Sequence, residues 1–126
     1  MGLVIGIDVG GSTTKIVGIR DNQIIRPMFI TAADPVTSLF GAFGKYLHDN
    51  NIQLEDIEQV MMTGVGSAFV TTPIYGLPTQ MVDEFTADGL GARHDINIDK
   101  LIVVSMGTGT TFVKIEDEKI MHIGGM

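Results

Sequence analysis

Ile5-Gly6-Ile7-Asp8-Val9-Gly10-Gly11-Ser12-Thr13-Thr14-Lys15-Ile16-Val17 sets a Gly-Gly turn and three consecutive hydroxyl residues between two apolar, strand-like runs. Glycine permits positive φ and lets backbone N–H groups approach an anion with no Cβ in the way. The Ser12 and Thr13 hydroxyls add donors. By itself such a stretch is more often an ordinary hairpin than a phosphate cradle. A second copy changes the balance: Ile102-Val103-Val104-Ser105-Met106-Gly107-Thr108-Gly109-Thr110-Thr111-Phe112-Val113. Laid over the first, Gly107 falls on Gly10, Thr110 on Thr13 and Thr111 on Thr14. Thr108 and Gly109 keep the same hydroxyl-and-glycine chemistry. Two such hairpins facing each other would hold the phosphates of one ATP from both sides, without a Walker sequence. Asp8 ends a strand at the mouth of the first turn. There a carboxylate either makes an Asx contact or holds Mg²⁺ through water.

The whole chain sets limits on these readings. Its 126 residues fit one domain of ordinary size, and a content of 44% hydrophobic and 18% charged residues is globular. A formal charge of −7, with no Lys/Arg cluster, argues against a nucleic-acid partner. The absence of cysteine excludes a disulfide framework, thiolate-ligated iron–sulfur clusters and a thiol nucleophile in these residues. The apolar runs are strand-length, so no membrane span is expected, and with no visible signal peptide the default location is cytoplasmic.

Residues 3–9, 14–20 and 23–30 read as three β-branched strands joined at Gly10-Gly11 and Asp21-Asn22. Asp34-Pro35 supplies a cap and a first-turn proline. Val36, Leu39, Phe40, Phe43, Tyr46 and Leu47 then follow at helical spacing, predicting a helix over 35–49. A short buried strand at 57–62 runs into Thr63-Gly64-Val65-Gly66-Ser67. A loop or short helix, a brief strand ending at Val82 and a helix from Glu84 to about Arg93 come next. Strands at 100–105, 110–116 and 119–124 make a second meander. The order is βββαβ(α)βα followed by a new βββ, which reads as a duplication. We expect a first domain over 1–97 and the start of a second over 98–126. Ending on Gly124-Gly125-Met126, the second half reads as truncated. Its strands, with Ile115 among their apolar residues, are then expected to lack helical cover and to drive self-association into a homo-oligomer.

Asp83 and Glu84 put two carboxylates where a strand becomes a helix. Acidic residues favour a helix's first turn on capping grounds alone. Rigid flanking elements also suit a catalytic carboxylate. We assign Asp83 the cap and Glu84 the cleft. His48 and His94 are expected on the surface.

The first hairpin, the Asp83-Glu84-Phe85-x-Ala87-x-x-Gly89-x-Gly91 segment and Met106-Gly107-Thr108-Gly109-Thr110 resemble the superfamily of acetate and sugar kinases, chaperone ATPases and actin. Within it, they are most similar to the bacterial branch of the type II (eukaryotic-like) pantothenate kinases. The resemblance implies an α/β, ribonuclease H-like βββαβαβα domain plus the first β-meander of a second such domain. It implies ATP and Mg²⁺ as cofactors and phosphorylation of pantothenate or a relative such as pantetheine, with this chain alone inactive. Its site would comprise Glu84 as catalytic base. Asp8, Gly10, Gly11, Ser12, Thr13, Thr14, Lys15, Gly107, Thr108, Gly109 and Thr110 would lie around the nucleotide, with Asp8 on Mg²⁺ through water. Ser105 and His122 would contact substrate, although His122 stands where that family has an arginine, and a neutral imidazole lacks the guanidinium fork. Two alternatives remain. One is the ATPase activator of 2-hydroxyacyl-CoA dehydratases, which shares such a hairpin and a Thr-Gly-x-Gly turn like 63–66 but carries a cysteine-held iron–sulfur cluster. The other is a nucleotide-binding module without catalysis.

Overall fold

The computed structural model describes residues 2–31, 34–94, 96, 98–106 and 110–125. It divides into two compact units, Met1–Val82 and Asp83–Met126. Among the described residues no helix is long and apolar enough to cross a membrane.

In the first unit the apolar runs become β1 (Leu3–Val9), β2 (Thr13–Arg20) and β3 (Gln23–Thr31), an antiparallel meander. β4 (Ile57–Thr63) pairs in parallel with the free side of β1, and β5 (Thr79–Met81) in parallel with β4. The sheet order is therefore β3-β2-β1-β4-β5. Strand alternation sends Leu3, Ile5, Ile7 and Val9 of central β1 to one face, where all four are buried. That face is covered by α1 (Pro35–Asp49). Asp34 caps it by accepting the Thr37 N–H at 2.9 Å, and Pro35 fills a first-turn position that needs no N–H. Leu39, Ala42, Phe43 and Tyr46, spaced by three and four, are fully buried. Each of the larger ones contributes about 1.5–3 kcal/mol by leaving water. Asn51, at φ 53, takes the left-handed conformation just past the helix end.

Between β4 and β5 the chain makes only 3₁₀ turns, at Val65–Phe69 and Ile74–Gly76. Gly64, Gly66, Pro73, Gly76 and Pro78 interrupt any longer helix here.

The second unit holds α2 (Glu84–Arg93) and the antiparallel strands β6 (Lys100–Met106), β7 (Thr110–Glu116) and β8 (Lys119–Gly125), in the order β6-β7-β8. A Cβ on Gly89 would meet Ile120 Cγ2 at 3.0 Å, so the helix backbone lies directly on the sheet. The expectation that these strands lack helical cover is thereby corrected for one face. Val113 and Ile115 are fully buried. Contacts also group α2 with these strands, whereas the sequence reading set it in the domain before residue 98. Ile102, Val104 and Met106 point to the other face and remain 60%, 46% and 80% exposed.

Candidate functional site

The first hairpin closes with the Gly10 N–H donating to the Thr13 carbonyl at 2.9 Å, leaving Gly11 and Ser12 exposed at the tip. Neither Gly10 nor Gly11 takes positive φ; among the described glycines only Gly64 and Gly76 do. Positive φ is thus not why this turn carries glycine. At Gly10 the reason is close approach, because a Cβ would lie 2.7 Å from the Thr13 oxygen. At Gly11 a Cβ would meet nothing within 4 Å, so the fold makes no steric demand there.

Alternation divides the hydroxyls that follow. Thr14 turns towards α1 and is fully buried, its Oγ1 accepting from Ser38 Oγ at 2.7 Å. That bond ties the hairpin to the first turn of the helix. Asp8 and Lys15 are cross-strand partners on the opposite face, with Lys15 Nζ 3.8 Å from Asp8 Oδ2. Both are exposed, and such a pair adds only ~0–1 kcal/mol of stability. Asp8, Gly10, Gly11, Ser12, Thr13 and Lys15 therefore share one hairpin, while the Thr14 side chain belongs to the core.

On sequence grounds the 63–67 turn carries no assigned site residue. β4 runs parallel to β1 in a register that sets Thr63 beside Asp8, both at carboxyl ends of neighbouring strands. Gly64 then adopts φ 98 and ψ 156, a region open almost only to glycine. A Cβ there would lie 2.4 Å from the Val9 oxygen and 2.5 Å from Asp8 Oδ1. One on Gly66 would lie 2.8 Å from the Gly10 oxygen and 2.9 Å from Pro35 Cβ. The Thr-Gly-x-Gly sequence is the signal: two glycines let this turn press on the hairpin's backbone. Ser67 locks it, donating Oγ–H to the Gly64 carbonyl at 2.5 Å.

In the second unit Asp83 is the cap, accepting the Thr86 N–H at 3.0 Å and its hydroxyl at 2.6 Å. These bonds hold its pKa below the ordinary 3.8. Glu84 opens α2 next to Phe85, whose ring stacks on His122 with centroids 4.0 Å apart. Ser105 is the register partner of Thr111 on β7, which Thr110 opens. Gly107, Thr108 and Gly109 lie outside the described residues. The expected surface position of His48 holds, with Nδ1 3.1 Å from Asp49 Oδ1.

Asp8 stands without a cage: among the described residues no group of three or more His, Cys, Asp or Glu could hold a metal. Its carboxylate thus suits a Mg²⁺ that arrives on phosphates and keeps most of its waters. The open space over Gly11 would admit a phosphate, so the residues fit Mg-nucleotide.

No protein-family profile matches the chain, and neither does any curated protein sequence. Solved structures do. The activator of 2-hydroxyisocaproyl-CoA dehydratase from Clostridium difficile, with bound ADPNP, aligns over 96% of this chain and 45% of its own at 16% identity and TM-score 0.79. Component A of (R)-2-hydroxyglutaryl-CoA dehydratase from Acidaminococcus fermentans gives 95%, 45%, 18% and 0.78. A ROK family glucokinase from Streptomyces griseus, in complex with glucose and AMPPNP, gives 95%, 46%, 16% and 0.65. The chain thus spans less than half the length of each of these structures. At such identities the likeness speaks for the fold alone. The chain has the mixed α/β, ribonuclease H-like fold of the actin-like ATPase superfamily.

Proposed function

We propose that this chain binds Mg·ATP at the Asp8–Lys15 hairpin and belongs to an ATP-hydrolysing module like the activators of 2-hydroxyacyl-CoA dehydratases. The observation that carries this reading is the seating of the Thr63–Ser67 turn against the Asp8 carboxylate and the Gly10 carbonyl. It supports a rigid floor beneath an open glycine tip, which is what electrostatic stabilisation of transferred phosphate needs. The likeness to the dehydratase activator holding ADPNP and to dehydratase component A favours this reading over pantothenate phosphorylation. The chain departs from activators in one respect. It has no cysteine, so these residues supply no thiolate for an iron–sulfur cluster.

A second reading rests on Glu84, which opens α2 beside the Phe85–His122 stack and would serve as the base for a substrate hydroxyl. In it the protein is an ATP-dependent kinase for pantothenate or a related small molecule, found in the cytoplasm as a homo-oligomer. One coupled assay of ADP release, with and without pantothenate, separates the two. Pantothenate-independent release supports the ATPase. Strict dependence on pantothenate, lost about 10²–10⁴-fold in Glu84→Gln, supports the kinase. Nucleotide binding with no ADP release in either arm leaves a binding module.

A further inference from the structure

Thr63 Oγ1 has no solvent access and, among the described residues, no hydrogen-bond partner. A hydroxyl in that state costs free energy, and an ion, water or ligand that takes it up relieves that cost. Several serine and threonine hydroxyls of the first unit are bonded within it: Thr14 and Ser38 bond each other, Ser67 bonds Gly64 and Thr79 bonds Leu77. Among the described serine and threonine hydroxyls shut off from solvent, Thr63 alone lacks a partner, and it sits beside Asp8 in the parallel register, ahead of the glycine on which the Asp8 carboxylate rests.

Resting on the nucleotide reading above, we propose that Thr63 is a positioning residue of the same site. Its hydroxyl hydrogen-bonds a water of the Mg²⁺ shell that Asp8 also engages. A water bound to Mg²⁺ directs its lone pair at the ion and presents its protons outward, and the Thr63 hydroxyl oxygen can accept one of them. A χ1 rotation of about 120° would carry the Thr63 oxygen to another of the three staggered positions, and so out of its solvent-excluded place when the ion arrives. The parallel ladder fixes the backbone beneath, so both side chains are held at neighbouring strand ends without help from a loop.

The test compares wild type, Thr63→Val and Thr63→Ser as full chains, by thermal melting without ligand and by titration with ADP in the presence and absence of Mg²⁺. Valine keeps the shape and removes the unpaired hydroxyl, so Thr63→Val should melt at or above wild type. With Mg²⁺ present it should bind ADP about 5- to 30-fold more weakly, the loss of one polar contact to a charged assembly. Without Mg²⁺ the two should bind alike. Thr63→Ser should stay within about twofold of wild type, since it keeps the hydroxyl oxygen that accepts from the water. Equal Mg·ADP affinity of Thr63→Val and wild type would overturn the proposal while leaving the nucleotide site standing. A Mg²⁺-independent loss would overturn the metal-water assignment. A Thr63→Val chain that melts well below wild type would overturn it too, because the hydroxyl would then be bonded within the fold. Wild type that binds no ADP would overturn the nucleotide site itself, and this proposal with it.

Discussion

Tyr46 stitches the backbone of a broken ladder: its phenol oxygen accepts the Gly18 N–H at 2.7 Å and donates its proton to the Ile25 carbonyl. Pro27 lies within β3, and the β2–β3 register shifts between Ile16 and Gly18. A proline cannot donate to a ladder, and a bulge leaves backbone groups unpaired. The helix that covers the sheet thus also completes it. A Cβ on Gly18 would lie 3.0 Å from that oxygen, which is why glycine stands there.

Tyr46→Phe should cost about 1–3 kcal/mol in denaturant unfolding, because two backbone groups lose their partner inside the protein. Burial holds the Tyr46 pKa above the ordinary 10.0, with the Gly18 hydrogen bond acting in the other direction. The unfolded chain therefore releases this proton first as pH rises. Stability should be intact below pH 10 and fall above it. In Tyr46→Phe that component of the alkaline slope should vanish. An unchanged slope would remove Tyr46 from the alkaline response.

Gly64→Ala should be among the most damaging single-methyl changes in the chain. The φ of 98 strains any L side chain by about 1–3 kcal/mol, before the contact with the Val9 carbonyl is counted. Thermal melting within a degree or two of wild type would contradict the seating of this turn.

Asp34 and Asp83 cap α1 and α2, and hydrogen bonds from Thr37 and Thr86 respectively hold both carboxyls below the ordinary 3.8. Their contribution is complete above about pH 4 and is lost as pH falls through the lower folded values. Asparagine caps well without titrating, so Asp34→Asn should fold at neutral pH and unfold less steeply in acid. An acid slope unchanged by the substitution would contradict the cap's role in it.

Gly11→Ala should separate folding from binding. Its Cβ meets nothing within 4 Å, so the melting temperature should stay close to wild type. A methyl at the tip would stand where phosphate approaches, and ADP affinity should fall. Unchanged affinity would mean that this hairpin is only a turn.

Most strands and both helices were legible because their signals are local. Asp34-Pro35 marks the first helix start, Asp83 the second, and Asp21 and Asn22 do form a turn at positive φ. What the sequence hid is long-range. Hydrophobic periodicity gives no hint that β4 pairs in parallel with β1, and without that register Thr63 is merely the residue before a glycine. The same holds for Thr14, a hydroxyl in a candidate phosphate turn until alternation places it against Ser38. The grouping of α2 with the second meander depends on Gly89 packing on Ile120, a contact between segments far apart in the chain. The glycines read as giving an anion access to the backbone, whereas at Gly10 the close approach is to the Thr13 carbonyl of the same hairpin. The positive φ they suggested occurs at Gly64 instead.

The central claim is that the Asp8–Lys15 hairpin receives Mg·nucleotide. The most direct measurement is amide chemical-shift mapping of the isotope-labelled chain, titrated with ADP and Mg²⁺. The account predicts saturable shifts led by Gly10, Gly11, Ser12 and Thr13, followed by Thr63 and Gly64, and weakened when Mg²⁺ is omitted. Shifts confined to other segments, or none at saturating nucleotide, would contradict it.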